Sequence, residues 1–326
     1  MGVEKLCKML YSRKAKMLDQ CLNNSTQHPP FSEAIQNFAV MLEKAVNTVM
    51  PEFGTAKCST SLFYDQANVQ DNFKEILSGP CENVIFVSMY PFYNQHLTTP
   101  LFQAVNTFLQ SNTTKVITKF TTDDSKDKDG FYIAKGNKPI SFNCSTLDEL
   151  AQSQGFVEFW AEKIKNELES NVDGIIFAVP LPLSGRSAYT KSVEDAAQRI
   201  MYTIYKSYPE AVPWRIAYFQ SWNQFCPLLT KATLNNQHRD LRKKRGGNGQ
   251  VLVVPIANLL HDFDTQTVLP SLIQRLENTK LLTAASLTNP TEEDKHEKNE
   301  LQLYSNPIPG WLAFHQHYHL ITILTS

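Results

Sequence analysis

The sequence predicts an α/β fold with parallel sheets, arranged as two similar halves. Three observations lead there. Short apolar runs such as VIFVSMY (84–90), GIIFAVPLP (174–182) and VLVVPI (251–256) suit strands buried on both faces. Segments with helical spacing separate these runs, and such alternation is the pattern of parallel α/β sheets. A polar segment, 121–145, with DDSKDKDG inside it, divides the series in two and reads as an excursion between the halves.

The elements follow in order. In 31–50, Phe31, Ile35, Phe38, Leu42 and Val46 recur at helical spacing, and Pro51 ends the helix. TSLFY (60–64) reads as a strand and 67–78 as a polar helix. After the strand at 84–90 come a helix over 97–110 and a strand at VITKF (116–120). Residues 146–169 predict one long amphipathic helix, with Leu147, Leu150, Phe156, Phe159, Trp160, Ile164 and Leu168 on a face. Beyond the strand at 174–182, helices are expected at 191–206, 229–245 and 265–278, with strands at WRIAYF (214–219) and 251–256.

Composition removes several function classes. The chain has 326 residues, 42% hydrophobic and 19% charged, with a net charge of −1. This is a globular composition with no global field to attract nucleic acid. No run of about 18 apolar residues offers a membrane-spanning helix. The six cysteines, at 7, 21, 58, 81, 144 and 226, form no CxxC pair, so neither a zinc site nor a thioredoxin motif is indicated. GxGxxG and GxxxxGK[ST] are both missing, which argues against dinucleotide and P-loop phosphate sites. The basic opening segment contains Glu4 and Asp19 and so does not read as a transit peptide.

In parallel α/β sheets, ligands bind outside the carboxyl ends of the strands. That rule selects four segments: Tyr90-Pro91-Phe92-Tyr93-Asn94, Val179-Pro180-Leu181-Pro182, Gln220-Ser221-Trp222-Asn223-Gln224, and 258–264, which contains His261, Asp262 and Asp264. Three of the four combine large aromatics with polar tips, and such walls suit a flat aromatic ligand.

These segments, in this order and after these strands, resemble the signature segments of ferrochelatases. MYPFYN is similar to that family's Tyr-Pro-x-Tyr-Ser loop, and FAVPLP with Tyr189 to its Ser-Ala-His-Ser-Leu-Pro strand end. WRIAYFQS is similar to its Tyr-Arg-x-x-x-Gln-Ser strand. VLVVPIANLLHDFDT is similar to its Val-x-Pro-x-x-Phe-x-Ser-Asp-His-x-Glu-Thr segment. Weaker echoes extend the resemblance from about residue 6 to about residue 292. The resemblance implies two Rossmann-like chelatase halves with an intervening cleft, over 1–140 and 141–292, and an unassigned tail at 293–326. The family inserts ferrous iron into protoporphyrin to make haem. It therefore implies a tetrapyrrole partner with Fe2+ and protoporphyrin or haem as ligands, no permanently bound cofactor, and a place in haem biosynthesis. Peripheral membrane contact, a homodimer and a mitochondrial location also follow from it, or a cytoplasmic location if the chain is complete as given.

Residue by residue, the resemblance assigns Tyr90, Tyr93, Tyr189, Gln220 and Ser221 to substrate binding, and His261 with Asp264 to the metal side. The family's catalytic histidine falls on Val179, which neither accepts a proton nor binds a metal. Losing a positioned general base typically costs about 10²- to 10⁴-fold. Asp264 keeps the family's acid one methylene shorter, the Asp-His order is reversed at His261-Asp262, and Asn258, Leu260 and Leu228 replace its Phe, Ser and Trp. The family's first strand has no counterpart, and the last cysteine is Cys226, so the C-terminal iron–sulfur cluster of animal members is not expected.

Plainer readings stand beside these. Asp264-Thr-Gln-Thr also reads as a helix N-cap. The basic run 238–247 reads as a solvated helix end, and His315, His317 and His319 as an alternating strand. The preferred expectation is a ferrochelatase-like tetrapyrrole binder that has lost most or all iron insertion. An active ferrochelatase using Asp264 and His261 is the first alternative. A structural or partner-binding protein without a tetrapyrrole site is the second. A chelatase for a corrin precursor is disfavoured by the Gln-Ser segment.

Overall fold

The structure is a computed structural model that describes residues 31–51, 54–60, 82–93, 98–116, 130–134, 141–147, 149–168, 171–182, 186–208, 210–220, 230–245, 249–259, 264–284 and 322–325. The chain order is α1 (Phe31–Val49), β1 (Ala56–Ser59), β2 (Asn83–Val87), α2 (Thr98–Asn112), β3 (Thr113–Val116), β4 (Gly130–Ala134), β5 (Ser141–Leu147), α3 (Gln154–Glu167), β6 (Val172–Pro180), α4 (Arg186–Tyr205), β7 (Trp214–Phe219), α5 (Leu234–Arg245), β8 (Gln250–Val254), α6 (Leu269–Ile273), β9 (Thr279–Leu281) and β10 (Thr322–Thr325). These strands form two sheets, and the fold is α/β with parallel pairing in both.

The second sheet has the order β7-β6-β8-β9, and all of its pairs are parallel. Its middle strand, β6, is buried from Asp173 through Val179. Alternation along β6 splits the packing. Ile175, Phe177 and Val179 join the cluster built with α3 and α4, while Ile176 and Ala178 join the one built with α5 and α6. A strand covered on both faces must be apolar at every position, which is why this region was legible as continuous runs. Ser153 caps α3, its Oγ accepting from the Phe156 N–H at 3.1 Å, and the helix then buries Phe156, Phe159, Trp160 and Ile164.

The first sheet has the order β1-β10-β2-β5-β4-β3, and among its pairs only β2 with β5 is parallel. Phe102, Val105 and Leu109 of α2 pack on Val84, Phe86, Phe142 and Cys144. Helix α1 docks on β1 through polar contacts. Asn47 both donates to the Ala56 carbonyl at 3.0 Å and accepts from its N–H at 2.7 Å, and Glu43 accepts from the Cys58 N–H at 2.8 Å.

Several sequence expectations need correction here. The polar excursion at 121–145 contains β4 and most of β5, whose antiparallel pairing extends the first sheet. Polar residues such as Asn143 and Ser145 hid these strands, because the sheet is not fully covered on both faces. The helix expected at 146–169 starts only at Gln154. Leu147 ends β5, and Leu150 opens a 3-10 turn over Leu150–Gln152. The first strand lies at Ala56–Ser59 rather than 60–64, and the strand expected at 116–120 is Thr113–Val116. The helix expected at 265–278 is a π-helical turn, Asp264–Val268, followed by the short α6. The helix expected at 67–78 lies outside the described residues. Residues 322–325, from the tail, pair between β1 and β2. Among the described residues no helix is long and apolar enough to cross a membrane.

Candidate functional site

In the second sheet the chain moves from β6 to β7 on one side and returns to β8 on the other. The strand order therefore reverses around β6, and the crevice at the carboxyl ends there is where such sheets hold ligands. Four segments meet at that end: Val179 to Pro182 after β6, Tyr218 to Gln220 of β7, Ala257 to Leu259 beyond β8, and the π-helical turn that begins at Asp264. The main chain is fixed here by Leu181 N–H donating to the Phe219 carbonyl at 3.0 Å and Tyr218 N–H donating to the Ala232 carbonyl at 2.7 Å. A π-turn is rare and occurs often at functional sites, because it re-aims side chains that an α-helix would place elsewhere.

Val179 is fully buried, and its side chain belongs to the cluster shared by α3 and α4. Its register partner across the parallel pair is Tyr218. Both side chains lie on the same face of the sheet, since Ala217 and Phe219 belong to the cluster on the opposite face. Tyr189, in the first turn of α4, is 4% exposed, Tyr218 is 8% exposed and Asp264 is 5% exposed. Burial pushes the Tyr189 hydroxyl well above the usual phenol range, and the neighbouring Tyr218 and Asp264 push it further. Burial pushes Tyr218 up to about 12, assisted by the charge of Glu194 on α4. Tyr189 thus feels both Tyr218 and Asp264, and Tyr218 feels Glu194, so the polar ends of three elements converge. The two phenols are held neutral over the ordinary pH range.

The first sheet contributes one wall. After β2 the chain turns through 88–93, held by Ser88 N–H donating to the Leu147 carbonyl at 2.9 Å and Ala151 N–H donating to the Pro91 carbonyl at 2.8 Å. This puts Phe92 edge-on against Tyr189, with ring centroids 5.9 Å apart, and against Phe156 at 6.0 Å. Tyr90 points outward, at 42% exposure, with its N–H donating to Ser88 Oγ at 3.3 Å. The Tyr93 hydroxyl shares a 2.6 Å hydrogen bond with Thr99 Oγ1 at the start of α2. Gln220 is half-buried just past β7. Ser221 and His261 lie outside the described residues. Of the residues expected from the sequence, the structure therefore brings Val179, Tyr189 and Asp264 together, with Gln220 at the adjoining strand end. Tyr90 and Tyr93 sit on the loop that delivers Phe92.

Compared with known proteins, the chain matches no family model and no curated protein at a significant level.

Sequence reasoning missed Tyr218 and Phe92. The signal for Tyr218 was available: in WRIAYF, period-two alternation puts Trp214, Ile216 and Tyr218 on one face, and parallel pairing with FAVP sets Tyr218 beside Val179. Nothing in the sequence distinguished Phe92 from its neighbours Tyr90 and Tyr93. The basic run on α5 has structural partners. Buried His238 contacts the Glu277 carbonyl at 3.0 Å through Nε2, Arg242 pairs with Glu277 at 2.8 Å, and Asp240 pairs with Arg215 at 3.0 Å. Burial lowers the His238 pKa, as expected for a neutral ring set into packing. Among the described residues no group of three or more His, Cys, Asp or Glu could hold a metal ion.

Proposed function

We propose that this chain is a ferrochelatase-like protein that binds a tetrapyrrole, protoporphyrin or haem, and inserts iron weakly or not at all. In this reading it is built of two Rossmann-like chelatase halves with a cleft between them, the first half extended by antiparallel strands. The single observation that carries the reading is the convergence of Tyr189, Tyr218 and Asp264 around Val179 at the carboxyl ends of β6 and β7. The aromatic surfaces there suit a flat macrocycle. Insertion needs a base within hydrogen-bond reach of two pyrrole protons. Val179 has no lone pair, and two phenols that stay neutral are poor bases. Asp264 remains the one carboxylate of the trio, and an active ferrochelatase using Asp264 and His261 is the second reading that this residue favours.

Titration of the purified protein with protoporphyrin tests binding. Fluorescence quenching at micromolar concentration is expected, equivalent to about −8 kcal/mol. No change up to roughly 100-fold higher concentration would replace the proposal with a structural or partner-binding role. Iron or zinc insertion is expected at background. Turnover of about 0.1–1 s⁻¹, near the low end of ordinary enzymes, would install the active reading instead.

A further inference from the structure

We infer that Tyr218 is an axial ligand to ferric haem, so that the iron-loaded ring, rather than the metal-free one, is the preferred occupant of the site. The inference rests on the tetrapyrrole reading above and names its ligand.

It starts from position. Val179 occupies a strand end with no donor atom, and Tyr218 is its register partner on the adjacent strand, with its side chain on the same face. The rings of Tyr218 and Tyr189 are more than nine-tenths buried. Among the described residues, neither hydroxyl makes a hydrogen bond. Tyrosine hydroxyls on buried rings ordinarily find a partner. The other deeply placed tyrosines here do: Tyr208 donates to the Leu168 carbonyl at 3.2 Å, and Tyr205 to the Val212 carbonyl at 2.7 Å. Two adjacent phenols left for an outside partner, at the ligand end of a parallel sheet, are therefore an arrangement with a ligand in view.

The chemistry selects the ligand. A phenolate oxygen is a hard anionic donor and prefers a hard, highly charged cation. Ferric iron in a macrocycle is one, with axial positions open, and tyrosine is among the residues that hold haem iron. A metal-free ring offers these phenols only weak hydrogen bonds. Without a cation, burial and the charge of Glu194 keep Tyr218 protonated. The positive charge of a ferric centre reverses that preference. On ligation the Tyr218 O–H bond breaks, its proton passes to bulk water, and the oxygen's electron pair forms the Fe–O bond. Iron stays ferric and nothing is oxidised or reduced. Tyr189, whose hydroxyl stays protonated beside it, is placed as a positioning residue that donates a hydrogen bond to the new phenolate.

The test uses the full chain with two probes, ferric haem and metal-free protoporphyrin. The wild-type protein with ferric haem should show a phenolate-to-iron charge-transfer band and phenolate modes in resonance Raman spectra. Tyr218→Phe should abolish both and weaken ferric haem binding by roughly tenfold or more, a loss of at least about 1.4 kcal/mol, while protoporphyrin affinity stays unchanged. If Tyr218→Phe does not fold, Tyr218→His keeps a ligand at the position and should convert the spectrum to an imidazole-ligated form. A ferric haem spectrum that neither substitution alters overturns the inference and leaves the tetrapyrrole reading intact. If neither probe binds, the tetrapyrrole reading fails and the inference falls with it.

Discussion

The two sheets solve the burial problem differently. The four strands of the second sheet are all parallel, helices cover both faces, and β6 is buried at seven successive positions. The first sheet packs α2 on one face through Val84, Phe86, Phe142 and Cys144, while Asn83 and Asn143, which share a 3.0 Å side-chain hydrogen bond, stay out of that core. Its strands mix directions, and one of them, β10, comes from far along the chain. A sheet closed on both faces makes a rigid frame whose strand ends hold side chains in fixed relation, as β6 and β7 hold Val179 and Tyr218. A sheet closed on one face relies more on backbone pairing and supplies a loop, 88–93, to that frame.

The largest expected effect lies in the second sheet. Phe177 is fully buried in the middle strand and meets Trp214 edge-on at 5.9 Å. Phe177→Ala should cost about 3–5 kcal/mol in urea unfolding. The matching change in the first sheet, Phe86→Ala, should cost less, because Phe86 packs beneath a single helix. Equal costs would show that the two sheets share one equally dense core.

Alkaline pH should expose the site next. The Tyr218 pKa rises from 10.0 to about 12 on folding, and Tyr189 also rises. A group whose folded pKa is raised contributes stability that is fully present below its unfolded pKa. That contribution is lost as pH rises through the folded value. Stability should therefore fall between pH 10 and about 12, by at most about 3 kcal/mol from Tyr218. Urea midpoints at pH 8 and pH 11 check this, and Tyr218→Phe should flatten the decline. A decline unchanged in that variant would mean that the titrating groups lie elsewhere.

How much was legible follows the same division. GIIFAVPLP, WRIAYF and VLVVPI announced β6, β7 and β8 because double-sided burial forbids polar residues in them. AKCS, TTKV, SFNCSTL and TILT announced nothing, since strands made largely by backbone pairing carry no strong side-chain pattern. Within the site, Val179, Tyr189 and Asp264 were legible from motif position. Tyr218 became significant only through the register of β6 against β7, which is a tertiary fact.

A smaller effect probes how β6 enters its sheet. Gly249 N–H donates to Asp173 Oδ2 at 2.7 Å, and a Cβ on Gly249 would lie 2.5 Å from Asp173 Oδ1. Asp173 is itself buried, so it has little room to retreat. Gly249→Ala should displace the carboxylate from its donor and cost about 1–3 kcal/mol, the usual consequence of a buried polar group losing its partner. Thermal melts of Gly249→Ala and Asp173→Ala should show similar losses, and the double variant should lose little more than either. Fully additive losses would mean that the two residues act separately.

The smallest change in stability, with the largest change in behaviour, should come from removing residues 322–326. Strand β10 pairs antiparallel with β1 through four residue pairs and with β2 through three. Each backbone hydrogen bond contributes only about 0.5–1.5 kcal/mol net. Freeing each residue returns about 1–2 kcal/mol of conformational entropy to the chain. The two contributions nearly cancel, so the urea midpoint should move by about 1 kcal/mol or less. The edges are another matter. Without β10, both β1 and β2 present unpaired N–H and C=O groups, and exposed strand edges template association. The shortened chain should therefore show faster amide exchange in β1 and β2, unchanged exchange in β6, and a concentration-dependent rise in apparent mass. If exchange in β6 rises as well, the two sheets unfold as one unit and their difference is one of architecture alone. If the shortened chain stays monomeric with its edges protected, β1 must close directly onto β2, and the first sheet holds together without its last strand.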